Sequence, residues 1–451
     1  MTDKVLLWRC PNCRKWIDTH PICNVCNYEL PSVVEHISID KTDVSKYYHK
    51  GNEWPPQGRR GIMIDLKGDL TMTDSENTGL GGIKPKVDLE SFEIPEDQEI
   101  AVEDMSGGAL KIAFIGAGQC GSRIAEEFFK LGYKKCIVVN TAEQDLENIE
   151  VDHKMLIKKS GKTGGAGKDM TVAMDAIEAS KAEVYNKMVG VFGDNVDHVF
   201  VCAGLGGGTG GGSIGHLINL SKQYMEYIGC DDPNKAVGVI VTLPTRGEAG
   251  SPIVKKNAFE ASKQLSGLAD KNEISPMIVI DNDKIQRLYR GKLSLDNFHS
   301  TINSSVAQML HLFNYISLQP SDYTPVDPTD LRSVIESGGH MILGVTSIKD
   351  VSEPTCVSDA LKKNLTKTLL ADDFDLSTAS AAGMIVIGGD AAFAKDGLRD
   401  AVELGFDTMT SFTGGAKVHR GVYKDSGRST LGVYTMISGL KRPEKRYGKL
   451  K

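Results

Sequence analysis

Residues 202–213 read CAGLGGGTGGGS: seven of the twelve are glycine, and a single Thr209 sits among them. Glycine loses more backbone freedom on folding than any other residue, so such a run marks backbone that must stay bare. The run follows an apolar strand pattern, DHVFVCAG, and precedes a helical one, IGHLINLSKQYM. A glycine turn between strand and helix lets backbone N–H groups approach an anion closely. The helix N-terminus behind it adds about half a positive charge. Thr209 has a hydroxyl to offer a phosphate or to help place a metal ion. Ser213 is placed to cap the helix that follows.

Other apolar strands end in turns of the same kind. KIAFIGAG runs into Gly116, Gly118 and Gly121, and SGKTGGAGKD occupies residues 160–169. KKCIVVNT, KAVGVIVTLP and PMIVIDND are further apolar runs, separated by helical patterns such as MTVAMDAIEASKAEVYNKM. Strands alternating with helices predict an α/β fold with a parallel sheet covered on both faces. Ligands of such sheets bind beyond the carboxyl ends of the strands. A long helix is predicted over residues 296–319, with Ile302, Val306, Met309, Leu310 and Phe313 on one apolar face. A second α/β segment follows at 336–440, with HMILGVTSI, AGMIVIGGD and LGVYTMISGL as strands.

Two simpler readings of the glycine turns do not hold. GAGQCG at 116–121 matches GxGxxG, but a dinucleotide site needs an acid about 20 residues on. The next strand instead ends in Asn140-Thr141. GKTGGAGKD has P-loop composition, but Lys162 stands where the first glycine belongs, and Asp169 replaces the final Ser or Thr.

GGGTGGG resembles the GGGTG[SG]G signature of the tubulin/FtsZ superfamily, and further stretches fit in order. GAGQCGSRI is similar to its first phosphate loop, VVNTAEQDL to NTDAQAL, and GGAGKDM to GAGANP. VTLPTRGEAG resembles the ribose loop, and IVIDNDKI resembles IPNDKL. Together they cover residues 110–335; the segment 336–440 fits only by its pattern of elements. The resemblance implies GTP/GDP and Mg²⁺. Gly118, Gln119, Cys120, Asn140, Gly164, Ala166, Gly167, Gly206, Gly207, Gly208, Thr209 and Gly210 would hold the nucleotide, mainly at its phosphates. Ser122 takes the place of a base-contacting asparagine, Glu248 would hold the ribose, and Phe298 would stack on the base. Asn303 matches a guanine-binding acid; its alternative is a polar residue on the solvent side of the helix.

In this family the loop after the long helix reaches the nucleotide of the next subunit and orients the attacking water. PVDPTDLRSVI matches its NxDxxD pattern at Asp327 and Asp330, with Pro325 replacing the asparagine. Without the resemblance, the two acids read as an Asx turn and a helix cap.

The ends of the chain depart from that family. Cys10, Cys13, Cys23 and Cys26 form CPNC and CNVC, spaced for a tetrahedral Zn²⁺ site in a small ribbon, with a redox or disulfide role as the alternative. His20 is a spare ligand. Residues 1–35 form this head, 36–107 a polar arm with a hairpin near Lys67-Gly68-Asp69, and 108–295 the nucleotide domain. Residues 320–335 hold the catalytic loop, and 441–451, KRPEKRYGKLK, read as a solvated basic tail. The tail and the head are candidate adaptor sites for protein or nucleic acid.

The net charge of −7 over 451 residues argues against binding nucleic acid across the whole surface. No apolar run is long enough to span a bilayer, and the N-terminus is not a signal peptide, so a soluble, cytoplasmic protein is expected. The expected function is a filament-forming GTPase acting in division, DNA positioning or intracellular organisation. It would assemble head to tail with itself. The alternative is a GTP-dependent switch or scaffold of the same fold that does not polymerise.

Overall fold

The computed structural model describes residues 4–9, 16–17, 36–40, 108–158, 164–289 and 298–450, with backbone alone for the first three segments and Phe298. Two units are present, Met1–Glu76 and Asn77–Lys451. In the first, β1 (Lys4–Arg9) pairs antiparallel with β2 (Trp16–Ile17) and with β3 (His36–Asp40). β3 lies in the stretch assigned above to the arm, yet shares a sheet with the head. Cys10, Cys13, His20, Cys23, Cys26 and the hairpin near Gly68 lie outside the described residues.

The described part of the second unit opens with alternating strands and helices: β4 (Ile112–Ala117), α1 (Gly118–Lys130), β5 (Cys136–Asn140), α2 (Glu143–Glu147) and β6 (His153–Leu156). Then come α3 (Met170–Phe192), β7 (His198–Gly204), α4 (Gly208–Tyr227), β8 (Val237–Leu243), α5 (Pro252–Asp270), β9 (Met277–Asp281) and α6 (Asn282–Leu288). After α7 (Phe298–Ile316) and α8 (Pro328–Ile335) come β10 (His340–Ile348), α9 (Cys356–Thr366), β11 (Ala381–Gly388), α10 (Asp390–Phe393) and α11 (Leu398–Phe412). The chain closes with β12 (Lys417–Lys424), β13 (Leu431–Leu440) and α12 (Glu444–Gly448).

All ten strands from β4 onward form one sheet, ordered β12-β11-β13-β10-β9-β8-β7-β4-β5-β6. The six from β9 to β6 are parallel, and all but β6 are almost wholly buried, which is why those five read as unbroken apolar runs. The parallel sheet expected of the nucleotide domain is present; on the other side, in the second α/β segment, β13 runs antiparallel to both β10 and β11, so the sheet as a whole is mixed. β10 joins β9 at only two paired positions, His340↔Met277 and Met341↔Ile278. β12 escapes an apolarity reading because its inward residues are His419, Gly421 and Tyr423. The helix α7 buries Ile302, Val306, Met309, Leu310 and Phe313 in one core with strands of both halves.

The C-terminal tail is not the solvated end that its basic composition suggests. Arg446, in α12, places its guanidinium on both carboxylate oxygens of Asp281 at the end of β9, with Nη2 donating to Oδ1 at 2.7 Å. Both side chains are buried, so each charge depends on the other. Tyr447 and Leu450 pack into the core, and the Tyr447 hydroxyl lies 3.1 Å from His340 Nε2. Removing one member of a buried pair strands the other charge. Arg446→Ala is expected to lower unfolding free energy by ~3–5 kcal/mol, read by urea denaturation.

Three buried histidines set an acid limit. Burial holds His340 and His311 down to about 4 and His198 down to about 3. The folded state keeps them neutral, so their contribution is full above about 6.5, the unfolded value, and is lost as pH falls through about 4. Each is expected to cost ~2 kcal/mol between pH 7 and pH 5, measured by urea titrations at the two pH values.

Candidate functional site

The cleft forms where three turns meet at the carboxyl ends of β4, β5 and β7. Its volume is about 430 Å³, within the range of small-ligand sites. The first turn is the start of α1. Gly118 has φ +68°, a left-handed conformation open to glycine, and a Cβ there would lie 3.0 Å from Gly210 N. The second is the 164–169 loop, and the third is the glycine run entering α4.

The glycine run answers a packing demand before a ligand demand. α4 starts at Gly208, inside the run, so Ser213 does not cap it; its hydroxyl donates instead to Thr209 O at 2.7 Å. A Cβ at Gly212 would lie 2.3 Å from Met170 O, and one at Gly210 would lie 2.7 Å from Gly204 O. A Cβ at Gly208 would crowd Ala166 Cβ at 2.9 Å and Asp169 N at 3.0 Å. These glycines let three backbones touch. Gly207, by contrast, is exposed and its nearest neighbour would be 3.9 Å away. It is bare toward the cleft.

Hydrogen bonds lock the turns together. Thr209 Oγ1 and Thr141 Oγ1 are 2.7 Å apart, and Thr141 Oγ1 accepts from Ala166 N at 3.0 Å. One hydroxyl pair therefore ties β5, the 164–169 loop and α4. Lys168 has φ +68°, uncommon outside glycine, and its carbonyl accepts from Asn257 Nδ2 at 2.8 Å. Asp169 is the N-cap of α3, accepting from Thr171 N at 2.9 Å.

Polar side chains line much of the remaining walls, beside Ala142, Pro244 and Val254. Asn140 Nδ2 donates to Asp145 Oδ2 at 3.2 Å. Glu248 Oε2 accepts from Thr245 N and Oγ1 at 2.8 and 2.9 Å. Cys120 Sγ is 3.1 Å from Thr242 Oγ1, and burial pushes its thiol up. Burial also lowers His299, with Arg123 acting in the same direction and Glu248 against it. Asn303 is buried on the wall, on the cleft side of α7 rather than the solvent side.

Every residue expected at the nucleotide lines the cleft except Ser122, Gly164 and Phe298. Ser122 is corrected: its residue is fully buried and its Oγ has no hydrogen-bond partner. The phase of α1 turns Gln119, Cys120 and Arg123 toward the cleft and Gly121 and Ser122 toward the sheet. A Cβ at Gly121 would meet Cys202 O at 2.0 Å. Gly164 is exposed beyond the lining, and the Phe298 side chain lies outside the described residues. Sequence reasoning missed Arg123, Asp145, Lys168, Asn282 and His299. Arg123 directly follows Ser122 in the chain, and Asp145 is the aspartate of the AEQDL stretch.

Asp327 and Asp330 stand away from this cleft, at the start of α8. They form a capping box: Asp327 Oδ1 accepts from Asp330 N at 2.8 Å, and Asp330 Oδ2 accepts from Asp327 N at 3.3 Å. Among the described residues, no cluster of three or more His, Cys, Asp or Glu is arranged to hold a metal. No described helix is long and apolar enough to cross a membrane.

Residues 111–290 match the tubulin/FtsZ family GTPase domain. That segment carries the whole cleft apart from its α7 wall. The tubulin-like protein CetZ of Thermococcus kodakarensis is 29% identical over 338 residues, covering 73% of this chain and 82% of its own length. The cell division protein FtsZ 2 of Haloferax volcanii is 25% identical over 361 residues, covering 78% and 81%. The tubulin/FtsZ fold extends beyond the matched segment. A GTPγS-form protofilament of Bacillus thuringiensis TubZ superposes with TM-score 0.65 at 20% identity, covering 78% of this chain and 92% of that one. The GTPγS-bound protofilament of CetZ2 from Haloferax volcanii gives 0.60 at 23%, covering 76% and 97%.

A contrast of two glycines tests the packing account. Gly212→Ala is expected to destabilise by ~1–3 kcal/mol because its Cβ meets backbone. Gly207→Ala is expected to stay within ~0.5 kcal/mol of the parent in thermal melts.

Proposed function

We propose that the chain binds GTP in this cleft, hydrolyses it, and assembles head to tail with itself. The observation that carries the reading is the meeting of the Gly118, 164–169 and 206–210 turns, whose bare backbones surround one cleft. The N-terminus of α4 adds a favourable field for a phosphate chain. Lys168 and Arg123 add positive charge at the rim, and Asn303 has the paired donor and acceptor that guanine recognition uses. The Asp145 carboxylate is chemically suited to Mg²⁺ carried by the triphosphate.

Assembly is supported by the protofilament form of the TubZ and CetZ2 structures. In a head-to-tail contact, the Asp327–Asp330 loop would meet the next copy's cleft, where a carboxylate can accept from the attacking water. Hydrolysis otherwise needs positioning and charge stabilisation. The capping box favours a second reading, a nucleotide switch without efficient turnover, because both acids already serve the helix. For the head, CPNC and CNVC support bound Zn²⁺, and metal analysis finding no zinc in freshly purified protein would remove that part.

Mixing purified protein with GTP and Mg²⁺ while following light scattering and phosphate release separates the readings. Growth of both signals with protein concentration supports the polymer. Nucleotide binding without either supports the switch, and no binding overturns both. Asp327→Asn is expected to abolish most turnover while nucleotide affinity stays within about twofold.

A further inference from the structure

The loop before α8 is held by a strand far along the chain. Val326 N donates to the Tyr423 hydroxyl at 2.8 Å, and Val422 N donates to Thr324 O at 2.8 Å. Both partners belong to β12. From the same strand, His419 reaches Asp330: its Nδ1 lies 2.5 Å from Asp330 Oδ1. Its Nε2 lies 2.8 Å from Ser333 Oγ, which also donates to Asp330 O at 2.9 Å. The imidazole is buried, whereas Asp330 is half-buried and Asp327 is exposed.

A carboxylate in its ionised form only accepts hydrogen bonds, so this contact calls for a proton on His419 Nδ1. The other Asp330 oxygen accepts from Asp327 N. Each carboxylate oxygen thus has its own donor, one from the helix cap and one from β12. A helix cap needs only the first of these; the second reaches Asp330 from outside its own helix and holds its carboxylate against β12.

We propose that His419 is a positioning residue for hydrolysis, its Nδ1–H fixing the Asp330 carboxylate in the orientation presented to the nucleotide of the next copy. This rests on the reading of Asp330 under Proposed function. His419 does not touch nucleotide; it acts through Asp330. Its burial keeps water from competing for the contact, so the carboxylate meets its target already oriented.

Two substitutions separate positioning from support of the fold. The amide nitrogen of Asn overlies Nδ1, and that of Gln overlies Nε2. His419→Asn keeps the donor to Asp330, and His419→Gln keeps the contact near Ser333. With GTP and Mg²⁺ at saturating protein, kcat is expected to fall less than about threefold in H419N and at least about tenfold in H419Q, with KM unchanged in both. Equal turnover in the two variants overturns the inference while leaving the function standing. A wild type that binds GTP without turnover overturns the inference together with the hydrolysis it serves.

A second readout needs no substitution at His419. Selective ¹⁵N-histidine labelling of the wild type is expected to show one imidazole with its proton held on Nδ1, assigned by its shift in D330N. An imidazole so assigned that is protonated on Nε2 alone overturns the inference.

Discussion

Backbone touching backbone at the carboxyl edge of the sheet is the constraint on which the site depends. Helix α4 starts so close to β7 and to the loop before α3 that side chains at Gly208, Gly210 and Gly212 would collide with main-chain or Cβ atoms. Because the turns are in contact, their N–H groups can surround one volume rather than three separate ones. The Thr141–Thr209 hydroxyl pair then fixes the turns by hydrogen bonds. The entropic cost of so many glycines is local, whereas the packing they permit serves β4, β5 and β7 together.

The far wall of the cleft depends on the end of the chain. Asp281 finishes β9 and accepts from Lys284 N at the start of α6, and the next residue, Asn282, lines the cleft. Arg446 neutralises Asp281 from α12. Asp283 in turn accepts from Arg246 N, in the loop that holds Glu248. The C-terminal helix is therefore linked, through ion pair and hydrogen bond, to the cleft wall that carries Glu248. This gives the basic tail a place inside the fold, a use that its composition did not suggest.

The middle of the molecule was the most legible part. Buried parallel strands must be apolar on both faces, so β4, β5, β7, β8 and β9 announced themselves, as did the inner face of α7. β6 and β12 did not. β6 is short and only partly buried, and β12 turns His419, Gly421 and Tyr423 inward, so hydropathy hides it. In the cleft, glycine composition located the turns but not helical phase. Ser122 and Arg123 are neighbours in sequence, yet one faces the sheet and the other the cleft.

What the sequence determined by itself was the order of strands and turns, because each turn's chemistry is local: glycine for close approach, Asp for a helix cap, apolar runs for buried strands. The tertiary structure decided everything that depends on two distant segments. It set the antiparallel return of β13, the insertion of Arg446 beside Asp281, and the placement of His419 against Asp330. Each of these is a partnership between residues that look unremarkable alone. A buried charge or an oriented carboxylate is defined by its partner, and only folding brings that partner within hydrogen-bond distance.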